Sequence, residues 1–196
     1  MNPIDIIEKY YEPGTRLHRT LIHHGSLVAQ KALEIAWKIP HPEIDPAFLE
    51  EAAMLHDIGI YLTDSPSIGC RGRYPYICHG YLGREILERH GMTKHALVCE
   101  RHVGVGIDME DIRKFSLPIP HREMIPVTLE EQIICFADKF FSKIGVSGSS
   151  ENSIPEIEKS LEPYGPDKVA RFQNWVRLFE EDPKTNRPLH VKEIEA

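Results

Sequence analysis

The run AAMLHDIGIYL, at residues 52–62, places a histidine and an aspartate side by side among apolar residues. Such a run is typical of a buried helix, which we predict over 47–58 and which Gly59 would end. Burying the imidazole of His56 and the carboxylate of Asp57 costs free energy unless another group pairs with them or coordinates them. The pair therefore predicts partners elsewhere in the chain.

Four more ionisable side chains fall on apolar faces of predicted helices. His24, for example, lies between Leu21 and Val28 at spacings of three and four residues, which share one helix face. A single buried histidine is usually a hydrogen-bonded structural residue, but six buried ionisable groups on five helices would each carry a desolvation cost. A shared cation offsets that cost for all of them. The predicted metal ligands are His24, His56, Asp57, His79, His102 and Asp138.

This ligand set predicts two metal ions. Four imidazoles and two carboxylates suit divalent transition metals, with iron as the first choice and manganese, nickel, cobalt and zinc as alternatives. Six ligands are too many for one tetrahedral zinc ion, so we expect two ions that share a bridging carboxylate and a water molecule. Two ions about 3.5–4 Å apart bring the pKa of such a water to near neutrality, and the hydroxide would attack a phosphoester or phosphoanhydride.

Cations next to the predicted ligands are candidates for holding a phosphate. Lys139 directly follows Asp138, and two roles stay equally open for it: binding a phosphate oxygen during catalysis, or an ion pair behind the ligands. Arg71, Arg73 and Arg122 lie in predicted loops and are further candidates. The loop at 71–76 also carries tyrosines, and we expect it to hold a nucleobase and its phosphates.

The elements that position these residues are predicted to be all helical. Helices are expected at 15–39, 47–58, 79–90, 93–101, 109–115, 128–144 and from 153 onwards, with a bend near 163–166. Asp45 and Thr128 are typical helix N-caps, and Thr128 with Glu131 predicts a capping box. The sequence predicts one all-α domain over 1–196, with a metal-binding core at about 16–145 and a C-terminal helical extension at about 153–196 joined by a flexible link.

The amino-acid composition limits the kinds of partner that we expect this protein to bind. The 196 residues are 41% hydrophobic and 27% charged, as expected of a globular domain, and the net charge of −7 argues against binding long nucleic acids. We see no signal peptide and no apolar run long enough to cross a membrane, and the four cysteines show no paired spacing. We therefore expect a cytoplasmic protein, monomer or homodimer, whose partner is a small phosphorylated substrate.

The order of the six predicted ligands, with HDIG at 56–59, resembles the HD-domain superfamily of metal-dependent phosphohydrolases. The resemblance covers about residues 16–145 and implies an HD-domain helical bundle with the metal site in its core. The segments HGYLGRE at 79–85, RHVGVGI at 101–107 and ADKF at 137–140 resemble the subgroup with two metals. This resemblance implies that Asp57 bridges the two metals, and that His79 and His102 bind the second.

The same segments are similar to bacterial hydrolases that split diadenosine tetraphosphate symmetrically. An insert at 117–132 departs from them and resembles a small, poorly characterised group of HDIG proteins, while Ile60 stands where cyclic-di-GMP phosphodiesterases carry lysine. The predicted function is hydrolysis of a nucleotide or dinucleoside polyphosphate. The alternatives are an HD-domain di-iron oxygenase, for which the same ligands would serve, and a non-catalytic, metal-containing ligand sensor.

Overall fold

The computed structural model describes residues 2–39, 44–143 and 151–180. Within these residues the chain is all-α, which confirms the predicted fold class. The α-helices, numbered in chain order, are α1 (Pro3–Ile7), α2 (Arg16–Lys38), α3 (Pro46–Leu55), α4 (His79–Arg89), α5 (Thr93–Arg101), α6 (Met109–Lys114), α7 (Leu129–Asp138), α8 (Ile154–Leu161) and α9 (Pro166–Phe179).

The segment between α3 and α4 contains the only described strands. Strands β1 (Asp64–Ser65) and β2 (Cys70–Arg71) pair antiparallel, with Asp64 opposite Arg71. Short 3-10 turns occur at Ile60–Leu62, Pro66–Ile68, Tyr76–Cys78 and Glu162–Tyr164. The last of these turns separates α8 from α9, at the position where the sequence predicts a bend.

Helix α2 is the central element of the bundle. Thr15 caps its N-terminus by accepting a hydrogen bond from the backbone of His18, and the helix packs against α3 and α7. Its buried stripe includes Leu21, His24 and Val28, which recur at the spacing of one helix face. The stripe therefore carries the histidine into the interior of the bundle.

The core joins the C-terminal helices to the rest of the bundle. One apolar cluster contains Val28 of α2, Leu49 of α3, Phe136 of α7 and Phe172 of α9. The rings of Phe136 and Phe172 stack with their centroids 5.2 Å apart. Because α8 and α9 bury residues in the same cluster as the predicted metal-binding core, they are packed parts of the fold.

Helix α3 begins as predicted, but its predicted end is wrong. Asp45 caps it by accepting from the backbone N–H groups of Ala47 and Phe48, yet the helix ends at Leu55, so His56 and Asp57 lie in the turn that follows. A Cβ atom at Gly59 would lie only 2.2 Å from the carbonyl oxygen of His79 on α4. Gly59 therefore marks a close approach between the turn and α4, which needs a residue without a side chain.

The predicted end of α7 is wrong as well. The helix ends at Asp138, and the chain that follows it is held by Asn152 instead. Asn152 donates its backbone N–H to the carbonyl oxygen of Phe140 (2.8 Å) and its side-chain N–H to the carbonyl oxygen of Lys139 (3.1 Å). At the other end of α7, the Thr128 hydroxyl accepts a hydrogen bond from the backbone N–H of Glu131. The capping box is incomplete, because the Glu131 carboxylate accepts from the backbone N–H of Val127 and not from that of Thr128.

Two predictions fall partly or wholly outside the described ranges. Most of the link predicted at 145–153, and all of the predicted extension beyond residue 180, lie outside the described residues. In the described part of the chain, no helix combines the length and the apolar character needed to cross a membrane.

Candidate metal centre

The structure brings the six predicted ligands together, mostly at helix ends. Only His24 lies in the middle of a helix, α2; the others lie at the end of α3 (His56 and Asp57), the start of α4 (His79), the end of α5 (His102) and the end of α7 (Asp138). None of the six is more than 7% exposed. Five helices therefore place four imidazoles and two carboxylates in one buried cluster.

One half of the cluster gathers around the Oδ2 atom of Asp57. The Nε2 atom of His24 lies 3.4 Å from this oxygen and 2.9 Å from Oδ1 of Asp138. The Nε2 atom of His56 lies 3.3 Å from the same Asp57 oxygen and 3.4 Å from the same Asp138 oxygen. We call these atoms of His24, His56, Asp138 and Asp57 the first half-site.

The other half gathers around the second oxygen of Asp57, Oδ1. The Nε2 atoms of His79 and His102 lie 3.5 Å and 3.4 Å from it, and 3.1 Å from each other. We call these atoms the second half-site. Asp57 thus presents one oxygen to each half-site, and the ligand nitrogen of His56 also lies within 4.8 Å of ligand atoms of both Asp138 and His102.

Backbone hydrogen bonds orient three of the four imidazoles. The Nδ1 atoms of His56, His79 and His102 lie 2.6, 2.6 and 2.7 Å from the carbonyl oxygens of Ala53, Tyr76 and Cys99. A carbonyl oxygen can only accept, so each Nδ1 carries a proton, and each Nε2 points towards the centre and offers a lone pair there when the ring is neutral. This is the tautomer that binds a metal through Nε2.

The contacts at the centre fit a bound metal. Nε2 of His56 and Oδ1 of Asp57 are buried without a hydrogen-bond partner among the described residues. With their Nδ1 atoms protonated, His79 and His102 direct two lone pairs at one another across 3.1 Å. A cation close to both nitrogens makes such an arrangement favourable, so the buried cluster fits a metal site.

The pKa shifts in the cluster leave most of its histidines in the neutral form that binds a metal. Burial lowers the pKa of His24 to about 4 and that of His79 to about 3, and it lowers the pKa of His102 too. Burial acts in the same direction on His56, but Asp57 and Asp138 outweigh it and raise that pKa to about 9. Three imidazoles are therefore neutral at pH 7, whereas His56 has a proton to lose when a metal binds.

Two lysines accompany the carboxylates. The Nζ atom of Lys139 lies 2.8 Å from Oδ2 of Asp138, and the Nζ atom of Lys143 lies 2.8 Å from Oδ2 of Asp57. Burial alone would raise the pKa of Asp57, but Lys143 and then His56 hold it well below its usual range. The Asp57 carboxylate is therefore ionised, as a carboxylate that binds a metal must be.

A cavity of about 590 Å³ reaches the centre. Its inner end is lined by His79, His102, Asp138, Lys139 and Lys143. Beyond the inner end the lining is largely apolar, and we call the following residues the apolar wall: Val103, Val105, Ile107, Phe115, Leu117, Leu161 and Tyr164. The cavity is of the size that small-molecule sites have.

The comparisons with known proteins agree with this arrangement. The HD domain matches residues 21–142, which include all six side chains of the cluster and more than half of the chain. The chain belongs to the HD-domain family. HD domains bind divalent metals, and the buried cluster is where this one fits a metal.

Relatives of this HD domain leave its substrate open. An uncharacterized protein of Methanocaldococcus jannaschii is 32% identical over 145 residues, which are 72% of this chain and 75% of that protein. Proteins of Picrophilus torridus and Thermoplasma volcanium named tRNA (cytidine(56)-2'-O)-methyltransferase are each 32% identical over 123 residues, or 62% of this chain, but only 31% and 32% of their own length is matched. No solved structure matches the chain significantly.

The arginines predicted to hold phosphate lie elsewhere in this HD domain. Arg122 donates to buried Glu100 (Nε to Oε1, 2.8 Å), while Arg73 stacks over the ring of Tyr74. Arg71 is exposed on β2, and none of these arginines lines the cavity. Of the 71–76 loop only Tyr76 lines the cavity, and the role predicted for this loop in holding a nucleobase and its phosphates stays a prediction.

Sequence reasoning missed Lys143. On a continuous helix through 144 it would point away from Asp138, since five residues make about 140° beyond one full turn. Because α7 ends at Asp138, the chain turns back and Lys143 reaches Asp57. The only signal in the sequence was a second cation close after Asp138 and Lys139, in the segment FADKFFSK at 136–143.

Proposed function

We propose that this chain is a metal-dependent phosphohydrolase that acts on a small phosphorylated molecule, a nucleotide or a dinucleoside polyphosphate. The proposal rests chiefly on the two oxygens of Asp57, which point into different half-sites. His24, His56 and Asp138 would hold one divalent transition metal ion and His79 and His102 the other, with iron as the first choice. When bound, two such ions supply Lewis-acid charge and a water acidic enough to react near neutral pH.

The side chains around the centre would do the remaining work. Asp57 would hold both ions in register through its two oxygens, which makes it the residue on which catalysis depends most. Lys139 and Lys143 line the inner end of the cavity and place positive charge where a phosphate would meet the centre. A lysine ammonium stabilises charge that develops on phosphate oxygens during transfer, and we assign this catalytic role to Lys139.

The cavity supports a substrate of limited size. It is about 590 Å³, it ends at the half-sites, and it is enclosed by α6, α8 and the chain that follows α5. A site of this volume buries a small molecule. The overall negative charge also disfavours long nucleic acids, whose binding depends on phosphate neutralisation by basic side chains.

The experiment separates hydrolysis from oxidation. Purified protein, stripped with chelator and reloaded with Mn²⁺ or Fe²⁺, would be assayed without oxygen against nucleotides, dinucleoside polyphosphates and simple phosphoesters. We expect phosphate-bond hydrolysis with either metal and none with stripped protein. Activity that requires O₂, or an oxidised product, would assign the chain to the di-iron oxygenases. Bound metal without turnover of any substrate would favour the ligand sensor.

Two neighbouring histidines offer a matched control for this experiment. His24 is buried in the first half-site, whereas His23, the preceding residue on α2, is exposed. We expect His24→Ala to lose hydrolysis and His23→Ala to retain it. Equal activity of the two variants would contradict the assignment of the site.

A further inference from the structure

We infer that the substrate is a phosphomonoester: one phosphate joined to an extended apolar body, which is either aromatic or aliphatic. This inference rests on the proposed phosphohydrolase function and keeps its small phosphorylated substrate, but it departs from the dinucleoside polyphosphate named there. It comes from the distribution of charge along the cavity and from two exposed aromatic rings in its lining.

At the inner end of the cavity two lysines pair with Asp138 and Asp57, whose negative charge the proposed metal ions would also neutralise, so positive charge for a phosphate is concentrated at this end. Lys139 and Lys143 lie there, and Lys168 is the only other cation among the described lining residues. The Nζ atom of Lys168 already lies 2.5, 2.7 and 3.0 Å from carboxylate oxygens of Asp111, Asp108 and Asp167. Three carboxylates more than neutralise one ammonium, so a second or third phosphate extending outwards would meet negative charge instead of a free cation.

The remainder of the lining suits an apolar body. Val103, Val105 and Ile107 follow the ligand His102 directly and are at most 9% exposed, so they form a fixed apolar surface next to the second half-site. Leu117 and Leu161 also line the cavity. A ligand whose apolar part lies against such a surface gains free energy from burial, whereas a polyphosphate chain would be desolvated without compensation.

An aromatic pair extends this surface into solvent. Phe115 and Tyr164 are 39% and 55% exposed, both line the cavity, and their rings contact edge to face with centroids 6.2 Å apart. Phe115 directly follows α6, and Tyr164 belongs to the turn between α8 and α9. Large apolar side chains left exposed next to a cavity are typical of a surface that a ligand covers. The outer part of the apolar body would cover these two rings.

The test compares four phosphate compounds on the metal-loaded protein: octyl phosphate, 1-naphthyl phosphate, glycerol 3-phosphate and diadenosine tetraphosphate. We expect kcat/KM for octyl or naphthyl phosphate to exceed that for the other two by about tenfold or more, since apolar contacts in a pocket discriminate on this scale. The octyl and naphthyl arms also decide whether the body is aliphatic or aromatic. Either preference over glycerol 3-phosphate and diadenosine tetraphosphate supports the inference.

Variants of the aromatic pair test whether these two rings cause the preference for an apolar ester. Phe115→Ala and Tyr164→Ala should raise KM for the preferred ester about fivefold and leave kcat nearly unchanged, because they contact only the body of the substrate. Trp37→Ala, at an exposed aromatic residue that does not line the cavity, is the matched control and should leave KM unchanged. A purely structural role for the aromatic pair would lower the melting temperature without changing the preference among substrates.

Binding of unreactive phosphonates, measured by calorimetry, separates failure of this inference from failure of the proposed function. Octyl or naphthyl phosphonate should bind more tightly than methylphosphonate, and Phe115→Ala should weaken only the larger ligand. If this holds while no ester is hydrolysed, the proposed function fails and the ligand class stands. If esters are hydrolysed but diadenosine tetraphosphate or glycerol 3-phosphate is preferred, or Phe115→Ala and Tyr164→Ala change nothing, the inference is overturned and the proposed function stands.

Discussion

The metal centre and the apolar wall adjoin in space, but different kinds of segment build them. The centre consists of His24 in the middle of α2 and five side chains at helix ends, all buried and held by short polar contacts. The wall comes from the chain at 103–117 and from the C-terminal residues 161–164. In the proposed function the two regions would have separate tasks: the centre would determine which bond is cleaved, and the wall would determine which molecule presents that bond.

The wall is held in place by the C-terminal helices. Arg171 of α9 donates from Nη1 to the carbonyl oxygen of Val105 (2.9 Å), and Lys168 of the same helix pairs with Asp108 and Asp111 at the start of α6. Met124, in the insert, exchanges backbone hydrogen bonds with Ile107. The extension and the insert thus shape the cavity without contributing any of the six side chains of the centre.

Removing the shared carboxylate should have the largest effect. We expect Asp57→Ala to lose both metals and to reduce hydrolysis by about a thousandfold or more, which corresponds to about 4 kcal/mol of transition-state stabilisation. Metal content per chain and kcat/KM measure these effects. Asp57→Asn keeps the volume of the side chain and removes its charge, so it serves as a second variant in case Asp57→Ala does not fold. A folded variant that retains both metals would show that Asp57 does not bridge them.

Variants of the second half-site should separate the two ions. His79→Ala and His102→Ala each remove a ligand from that half-site alone, so we expect the second metal to bind about a hundredfold more weakly while the first is retained. Stepwise metal titration with calorimetry checks this. Loss of both metals at the same concentration, or loss from the first half-site instead, would contradict the division into half-sites.

Breaking the wall's main ion cluster should affect stability and substrate binding but not metal content. Lys168→Met leaves Asp108 and Asp111 without their cation, and we expect unfolding free energy to fall by about 2 kcal/mol, less than for a fully buried pair because Asp167 is mostly exposed. Lys159→Met, at an exposed residue of α8, is the control and should change stability by no more than about 0.5 kcal/mol. Loss of metal in Lys168→Met would mean that the two regions are not independent.

The smallest expected effect depends on pH. Lys168 and backbone N–H groups hold the pKa of Asp108 at about 2, against the opposing effect of burial. Because this pKa is depressed on folding, the stabilisation is present above about pH 4 and disappears as the pH falls towards 2. Asp108→Asn keeps an acceptor for the N–H of Asp111 but loses the charge. We expect it to be less stable than wild type by about 1 kcal/mol at pH 6 and equally stable near pH 2. A difference that does not shrink in acid would contradict this account.

The centre could be anticipated from sequence because its residues break a regular pattern. Histidines and aspartates such as His24 and Asp138 interrupt apolar faces, and periodicity makes such interruptions visible. Helix ends were predicted less well. The end of α3 depends on the close approach of Gly59 to α4, and the end of α7 on hydrogen bonds from Asn152, and neither contact is local in sequence. The position of Lys143 followed from the second of these contacts.

The wall could not be predicted because its residues carry no such pattern. Val103, Val105 and Ile107 lie in an irregular segment, where alternation with Gly104 and Gly106 reflects positive φ angles (63° and 92°) and not a strand. The arginines at 71–76 instead led to the prediction that this loop binds phosphate. The sequence of a loop does not show which of its side chains line a cavity. The wall emerges only when the C-terminal helices pack against the chain after α5.

Spectroscopy of the Mn²⁺-loaded protein tests the central claim, that two ions share Asp57, most directly. Electron paramagnetic resonance distinguishes ions coupled through a bridging ligand from isolated ions, and metal analysis of the same sample gives the number of ions per chain. We predict two Mn²⁺ ions per chain, with the signal of a coupled pair in wild type and no coupled signal in Asp57→Asn. A fully active protein with one ion per chain, or with two ions that give only the signal of isolated Mn²⁺, would contradict the account.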